Sequence, residues 1–133
     1  MVSTRGRYAL RVMIDLAEHD DGSFIPLKDV ADRQEISEKY LESVVSSLVR
    51  AKLLEGLRGK RGGYRLTKKP EEYTVGSILK LTEKSLAPVA CLDCEVNTCE
   101  RKDSCRTLPM WEKLDDMIEE FFEKYKLSDL LKA

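Results

Sequence analysis

Apolar residues recur at intervals of three and four in three stretches near the start of the chain. Between Ser3 and about Glu18 they predict an amphipathic helix packed on a core by one face. Pro26 opens a second, short helix, because proline is tolerated in the first turn, where an N–H has no partner. Ser37 is a good N-cap for a third helix that reaches about Ala51. The last two helices, separated by a short turn, predict a helix-turn-helix unit.

Two short strand patterns follow the third helix, at Leu53–Leu57 and Gly63–Leu66, and Phe24–Ile25 is a candidate for a further short strand. Glycines between the two segments supply the positive φ angles that a tight hairpin needs. A helix-turn-helix followed by a basic hairpin predicts a winged helix, so the fold class is mainly α with a small β wing. The cationic side chains at the tip are those of Arg58, Lys60 and Arg61.

A fourth helical pattern begins at Tyr73 and ends near Ser85, since Pro88 prevents its direct continuation. Its inward positions are Val75, Ile78, Leu79 and Leu81. Residues 89–106 contain all the cysteines and little apolar content, and they predict a loop. Thr107 caps a last helix. The predicted organisation is therefore a winged helix-turn-helix DNA-binding domain over 1–85, a cysteine-rich sensor loop over 86–106, and a dimerisation helix and tail over 107–133.

The last helix has an apolar seam at intervals of three and four, with Met117 and Phe122 beside it. The seam is more aromatic than one helix needs in order to lie on its own small domain. It predicts a homodimer interface, with packing inside the chain as the alternative. The seam residues are Trp111, Leu114, Ile118, Phe121 and Tyr125.

Charge is balanced overall and uneven along the chain. The 133 residues have a formal net charge of -1, with 42% hydrophobic and 35% charged residues, which suits a folded domain. Lys, Arg, Asp and Glu sum to +4 over residues 1–70 and to -5 over residues 71–133. Residues 50–69 contain eight basic side chains and one acidic one, which indicates contact with a polyanion.

Several classes of protein are excluded by the same composition. The chain has no apolar run of about 18 residues that could span a membrane. Its first residues lead into an amphipathic stretch rather than the apolar block of a signal peptide, so a cytoplasmic location is expected. With one histidine, His19, no Ser-His-Asp or Cys-His constellation is visible, and an ordinary hydrolase is not expected.

The third helix is predicted to enter the major groove of DNA by its N-terminal half, while the wing follows the backbone towards the minor groove. Lys39 suits a phosphate or a guanine edge, Glu42 suits a cytosine amine, and the serines suit phosphates. Arg5 or Arg7 would add backbone contacts. The alternative for each charged residue is plain solvation. The exposed candidates on the helix are Ser37, Glu38, Lys39, Tyr40, Glu42, Ser43 and Ser46.

The four cysteines form the pattern C-x2-C-x4-C-x5-C, at Cys91, Cys94, Cys99 and Cys105. Thiolates are soft ligands that suit an iron-sulfur cluster, with a 2Fe-2S cluster favoured, or zinc, which the wider second pair favours less. Arg101, Lys102 and Arg106 would help to keep the thiols deprotonated. Metal-free thiols that switch by oxidation, or an inert loop, are the alternatives. A thiol oxidoreductase using Cys91 and Cys94 is a further alternative, although no βαβ pattern precedes that pair.

Longer motifs occur at residues 58–66 (RGKRGGYRL), at Pro70 and at residues 74–78 (TVGSI). They resemble the wing and following helix of the IscR/NsrR/CymR family of bacterial repressors. Residues 6–10 (GRYAL) and 36–42 (ISEKYLE) are similar as well, and the likeness extends over about residues 3–125. It implies a homodimeric winged-helix transcription factor that binds a palindromic operator, with Glu42 and Ser43 at positions where related proteins touch bases.

The resemblance also bears on the cysteines. Some family members hold an iron-sulfur cluster in this loop, whereas others lack it and sense metabolism differently, in one branch through a partner metabolic enzyme. The family pattern has three cysteines with the last two separated by five residues, which Cys99 and Cys105 match, while the other is Cys91 or Cys94. One branch adds a histidine at the position of Leu108, so the fourth ligand here is open between the extra cysteine and a carboxylate of the partner chain.

Overall fold

A computed structural model of the protein describes residues 2–83, 85–92 and 100–131. The helices in that part of the chain are α1 (Thr4–Glu18), α2 (Leu27–Gln34), α3 (Glu38–Arg50), α4 (Val75–Thr82), α5 (Leu108–Lys124) and α6 (Leu127–Leu131). Two strands, β1 (Leu54–Leu57) and β2 (Gly63–Leu66), and two single 3-10 turns, Pro70–Glu72 and Ala90–Leu92, complete the described elements. None of these helices has the length and apolar character needed to cross a bilayer.

The first three helices pack around one core, as their periodicity predicts. Ser3 caps α1 by accepting the Gly6 N–H, and Ser37 caps α3 by accepting the Tyr40 N–H. The turn between α2 and α3 passes through Glu35, whose positive φ of 56° lets the chain reverse at the end of α2. The helix-turn-helix unit predicted from the sequence is confirmed. Fully buried side chains of the three-helix core include those of Val12, Met13, Leu16, Leu41, Val44, Val45 and Leu48.

The wing is an antiparallel pair in which Leu54 faces Leu66 and Leu57 faces Gly63. A two-way backbone bridge joins Tyr64 to Ile25, with N···O distances of 2.9 and 2.8 Å, so the short extended segment predicted before α2 lies beside the wing. Gly63 permits this approach, because a Cβ there would lie 2.1 Å from the carbonyl oxygen of Ile25. The predicted fold class, mainly α with a β wing, is confirmed.

The region around α4 departs from the sequence prediction. Tyr73 lies before the helix rather than in it, fully buried, and its hydroxyl donates to the Leu53 carbonyl at 2.8 Å. The helix ends at Thr82 rather than near Ser85. Leu81, predicted to face inward, is 38% exposed and lines an open pocket with Ser47, Arg50 and Ala51 at the end of α3.

The C-terminal segment returns to the winged-helix domain. The Val75 N–H donates to the Tyr125 carbonyl at 2.8 Å, and the Leu127 N–H donates to the Tyr73 carbonyl at 3.0 Å. These bonds fix the end of α5 beside the start of α4. The Leu127 side chain is fully buried in the main core, so the segment treated in the sequence analysis as a tail includes a core residue of the N-terminal domain.

Candidate DNA-binding surface and cysteine segment

The N-terminal half of α3 presents polar side chains to solvent. Its helical period buries Leu41 and Val44 and leaves Lys39 and Glu42 exposed, without a side-chain hydrogen bond or ion pair to any described residue. The Ser37 hydroxyl is engaged in capping, since it accepts the Tyr40 N–H at 3.1 Å. Free donors and acceptors at the start of an exposed helix are what direct readout of base edges requires.

Two predicted contact residues on α3 already have partners on α1. The Ser43 hydroxyl accepts a hydrogen bond from Arg5 Nη1 at 2.9 Å, and the Ser43 carbonyl accepts one from Arg5 Nη2 at 2.9 Å. The ring of Tyr40 meets the ring of Tyr8 edge to face, with centroids 5.4 Å apart. The α3 surface is therefore shared between solvent and α1, a division that helical periodicity alone does not show.

A buried carboxylate joins α1 to α2. Asp15 is 1% exposed, and its carboxylate accepts hydrogen bonds from Arg33, at 2.6 Å for Nη2, and from the Gln34 amide at 2.9 Å. Hydrogen bonding to Asp15 raises the pKa of Arg33. Arg11 extends the network to Gln34 and stacks over Tyr8. Sequence reasoning missed these residues, although an aspartate inside the apolar stripe of α1 was a signal of a buried ion pair.

The wing tip is basic and open. Arg58, Lys60 and Arg61 are exposed, and none of them forms a side-chain hydrogen bond or ion pair with another residue that the structure describes. Arg65, in β2, has partners. Its Nε lies 3.2 Å from Glu55 Oε2, and its guanidinium carbon lies 4.1 Å from the centroid of the Phe24 ring. The three tip cations are thus left available to a polyanion, whereas Arg65 is part of the fold.

The structure describes two of the four predicted cysteine ligands. Cys91 lies in the 3-10 turn Ala90–Leu92 and Cys105 lies just before α5, both half-buried, with free thiols. Cys94 and Cys99 lie outside the described residues, and within those residues no group of three or more metal-ligating side chains is found. The described residues therefore give no ligand geometry for a cluster or a zinc ion. Whether the cysteines suit such a group is judged from the chemistry of the thiols that are described.

Cys105 has a surrounding that favours its thiolate. The Thr107 hydroxyl, 3.3 Å from Sγ, lowers the pKa of Cys105, with further contributions from the backbone N–H groups of Thr107 and Leu108 and from the charge of Arg101. A deprotonated thiol is the form that binds metal or attacks a disulfide. Leu108 is the first residue of α5 and offers no donor atom in its side chain. The chemistry at Cys105 fits a thiolate ligand.

The apolar stripe of α5 is divided between two surroundings. At 100° per residue it covers roughly 140° of the helix, more than one contact face needs. Ile118 and Phe122 pack on Val75, Leu79 and Leu86 of the same chain, and Trp111 is half-buried. The other half is open, with exposed fractions of 38–65% at Met110, Leu114, Met117, Phe121 and Tyr125. The predicted seam thus falls on both halves, with Ile118 on the intrachain one.

Comparison with known proteins agrees with this architecture. Residues 2–133 match the Rrf2 family, described as "Iron-dependent Transcriptional regulator". The chain is 35% identical over 130 residues to the HTH-type transcriptional regulator IscR of Aliivibrio salmonicida, covering 98% of this chain and 76% of that protein.

Solved structures give the same result. CymR, the global cysteine regulator of B. subtilis, superposes with a TM-score of 0.80 at 32% identity, covering 99% of this chain and 96% of that one. T. potens IscR gives 0.75 at 34% identity, covering 99% and 86%. The relatives are named as regulators rather than enzymes, which argues against the thiol oxidoreductase alternative. The chain belongs to the Rrf2 family of helix-turn-helix transcriptional regulators.

Proposed function

We propose that two copies of the chain bind a palindromic operator, each placing α3 in the major groove and its wing along the backbone, as a repressor. The observation that supports this most directly is the wing tip, where Arg58, Lys60 and Arg61 are exposed and without partners among the described residues. Three unpaired cations on a short hairpin are a suitable arrangement for neutralising phosphates. The wing supplies affinity, and base discrimination falls to α3.

On α3, the proposed base contacts are Lys39 and Glu42, whose side chains have no hydrogen-bond or ion-pair partner in the part of the chain that the structure describes. Lys39 donates to a phosphate or to a guanine edge, and Glu42 accepts from a cytosine amine. Ser37 and Tyr40 lie at the helix start, where backbone N–H groups favour a phosphate. Ser43, whose hydroxyl is bonded to the Arg5 guanidinium, contributes to recognition through that bond rather than by donating to DNA itself.

The proposed dimer forms through the open half of the α5 stripe. Five large apolar side chains lie exposed along this helix, and a second copy would cover them by the same residues in a two-fold arrangement. Two-fold symmetry in the protein then requires two-fold symmetry in the operator. Trp111, Leu114, Phe121 and Tyr125 are the proposed contacts, while Ile118 supports the helix from the intrachain side.

For the sensor we propose an iron-sulfur cluster, a 2Fe-2S cluster in the first instance, held by thiolates of the cysteine segment. Such a cluster would supply a redox-responsive group. Cys105 is the best supported ligand, because Thr107 and the start of α5 stabilise its thiolate. Cys91, Cys94 and Cys99 supply the other thiols. Membership of a family described as iron-dependent transcriptional regulators supports a group that contains iron.

The position of Cys105 suggests how the sensor would reach DNA. Cys105 lies two residues before Thr107, the N-cap of α5, and the far end of α5 is fixed to α4 by the Val75–Tyr125 hydrogen bond. Lys80 of α4 also pairs with Glu119 and Glu123 of α5 at 3.5 and 3.4 Å. Binding of a cluster by the cysteines would therefore act on the start of a helix that carries the proposed dimer face and is attached to the DNA-binding domain. The coupling free energy is the difference in cluster affinity between the two arrangements.

A metal-free thiol switch, or control by a partner metabolic enzyme, is the second candidate. The high similarity to CymR, named as a cysteine regulator, favours it, together with Leu108 in place of a histidine donor. Under this candidate the lowered pKa of Cys105 serves oxidation rather than ligation.

The DNA-binding part is tested by selection of duplexes from a randomised pool, followed by binding titrations over a range of salt. We expect a palindromic sequence and a steep fall of affinity with salt, because each chain neutralises several phosphates. Affinity that is independent of salt, or equal binding to half a site, would contradict the proposal.

The sensor part is tested by anaerobic purification with absorbance, iron, sulfide and zinc analysis of the wild type and of Cys105→Ser. We expect stoichiometric iron and sulfide in the wild type and their loss in the variant. Stoichiometric zinc without colour would replace the cluster by a zinc site. A metal-free protein whose DNA affinity changes on oxidation, or on addition of an enzyme, would instead establish the second candidate.

A further inference from the structure

Two adjacent strips of residues run along the exposed side of α3. One, which we call the recognition strip, consists of Lys39, Glu42 and Ser46, all exposed and without side-chain partners among the described residues. The other, which we call the bridge strip, consists of Tyr40, Ser43 and Ser47, and it faces α1. Both follow the helical spacing i, i+3, i+7, so each bridge residue directly follows a recognition residue in sequence.

Arg5 holds the bridge strip. Its Nη1 donates to the Ser43 hydroxyl at 2.9 Å, and its Nη2 donates to the Ser43 carbonyl at 2.9 Å and to the Ser47 hydroxyl at 3.1 Å. The planar guanidinium fixes these three acceptors in one geometry. The Ser43 hydroxyl also donates its single proton to the Tyr40 carbonyl at 3.0 Å. It therefore has no proton left to donate to a phosphate or a base.

The backbone around Arg5 is itself fixed. The N–H and hydroxyl of Ser3 both donate to Glu83 Oε1 at 2.7 Å, which ties the start of α1 to the end of α4. Gly6 is buried against the same carboxylate, so a Cβ at that position would lie 2.3 Å from Glu83 Oε1. Arg5 lies in the sequence between Ser3 and Gly6, the two residues held at Glu83. Its guanidinium therefore connects the junction of α1 and α4 to α3.

We propose that Arg5 is a positioning residue for operator recognition, one that sets the angle of α3 so that the recognition strip meets the base edges. This inference rests on the proposed function, in which α3 enters the major groove. Without the three hydrogen bonds α3 would pivot on its buried face, and Lys39 and Glu42 would lose their alignment with particular bases. Discrimination between sequences would fall more than affinity for DNA as such.

Arg7 offers a matched control. It is an exposed arginine on the same turn of α1, and its side chain donates locally to Thr4 at 3.1 Å rather than to α3. Substitution of either arginine by alanine removes one positive charge near the DNA. Only the Arg5 substitution also removes the hydrogen bonds to Ser43 and Ser47.

The experiment measures the affinity of wild type, Arg5→Ala, Arg5→Lys and Arg7→Ala for the selected duplex and for its single-base variants. We expect Arg7→Ala to weaken binding to all duplexes by a similar factor. Arg5→Ala should lower the ratio of affinities between the selected duplex and its variants by about fivefold, the scale of coupling between contacting residues. Arg5→Lys should share this loss, because a single ammonium cannot satisfy three acceptors in the geometry of the fork.

The double variant Ser43→Ala/Ser47→Ala removes the two hydroxyl acceptors of Arg5 without changing α1 or its charge. It tests the same contacts if Arg5→Ala does not fold. We expect it to reproduce the lost discrimination, with little further loss when Arg5→Ala is added. Equal behaviour of Arg5→Ala and Arg7→Ala, or unchanged discrimination in the serine variant, would overturn the positioning role. A wild type that shows no discrimination would instead overturn the proposed function on which this role rests.

Discussion

The helices α1 and α5 are of similar length and differ in what covers them. In α1, of 15 residues, six are buried, whereas in α5, of 17 residues, none is buried. Both have an apolar stripe, yet α1 closes its stripe inside the winged-helix domain and α5 leaves half of its stripe open. The apolar core of the winged-helix domain is thus closed by the described residues of one chain, whereas half of the α5 stripe is left uncovered by them, as the proposed dimer requires.

The comparison is most strongly tested at the buried ion pair of α1. Replacing Asp15 by Asn leaves the Arg33 guanidinium facing a neutral amide, but Arg33 is 36% exposed and water can solvate its charge. The cost is therefore that of losing charged hydrogen bonds at a buried acceptor, roughly 1.5–3 kcal/mol. We therefore expect Asp15→Asn to lower the free energy of unfolding by an amount near that range in a denaturant titration. Asp116→Asn on exposed α5 should change it by less than about 0.5 kcal/mol. Equal effects would contradict the contrast between the two helices.

The open half of α5 gives the next largest effect. Met117 is 65% exposed, so Met117→Asp should not destabilise the fold of the single chain. It would place a charge inside the proposed dimer face. We expect a monomer in sedimentation analysis and a loss of operator affinity of about 100-fold or more, because the two half-sites are no longer linked. Circular dichroism should show unchanged helix content. A dimer that persists in this variant would remove α5 from the interface.

The sequence predicted the N-terminal domain better than the C-terminal one, for physical reasons. The cap at Ser37 and the period of α3 are local signals, and both were confirmed. The position of Tyr73 depends on a hydrogen bond to Leu53, twenty residues away, and α6 is a five-residue helix placed by a backbone bridge between Thr74 and Lys126. Neither contact leaves a periodic pattern in the sequence.

In the candidate DNA-binding surface, too, local features were predictable from the sequence and contacts between distant residues were not. Exposure of Lys39, Glu42 and the wing cations follows from local spacing and turn residues, and the structure places them on the surface as expected. The attachment of Ser43 to Arg5 is a contact across 38 positions of the chain, which composition and spacing do not encode. The roles of the predicted DNA, cysteine and dimer residues remain predictions that the experiments address.

A smaller effect is expected at the wing tip. Arg58→Ala and Arg61→Ala should each reduce the slope of log affinity against log salt by about two, because each substitution occurs in both chains of the dimer, and should weaken binding about tenfold, uniformly over sequences. Lys124→Ala is the matched control, since Lys124 is exposed on α5 and pairs with Glu120. Fluorescence anisotropy over a salt series measures both quantities. A wing variant that behaves like the Lys124 variant would exclude the tip from DNA.

The smallest effect concerns the thiol of Cys105. The Thr107 hydroxyl lowers its pKa, so Thr107→Val should move the pH midpoint of Cys105 alkylation upwards, while Thr107→Ser should leave it in place. The sign follows because a donor to sulfur stabilises the thiolate, and its loss favours the protonated thiol. Peptide-resolved mass spectrometry of alkylation rates over a pH series gives the midpoint. A midpoint that does not move would show that the backbone alone sets the reactivity.

In the proposed complex, two chains joined through α5 place two basic wings and two recognition helices on one duplex. Native mass spectrometry of the protein with the selected full-site duplex measures how many chains bind. We expect a complex of two chains with one duplex over a range of protein concentration, with no populated one-chain complex. A single chain bound to the full site as tightly as to half of it would exclude this assembly.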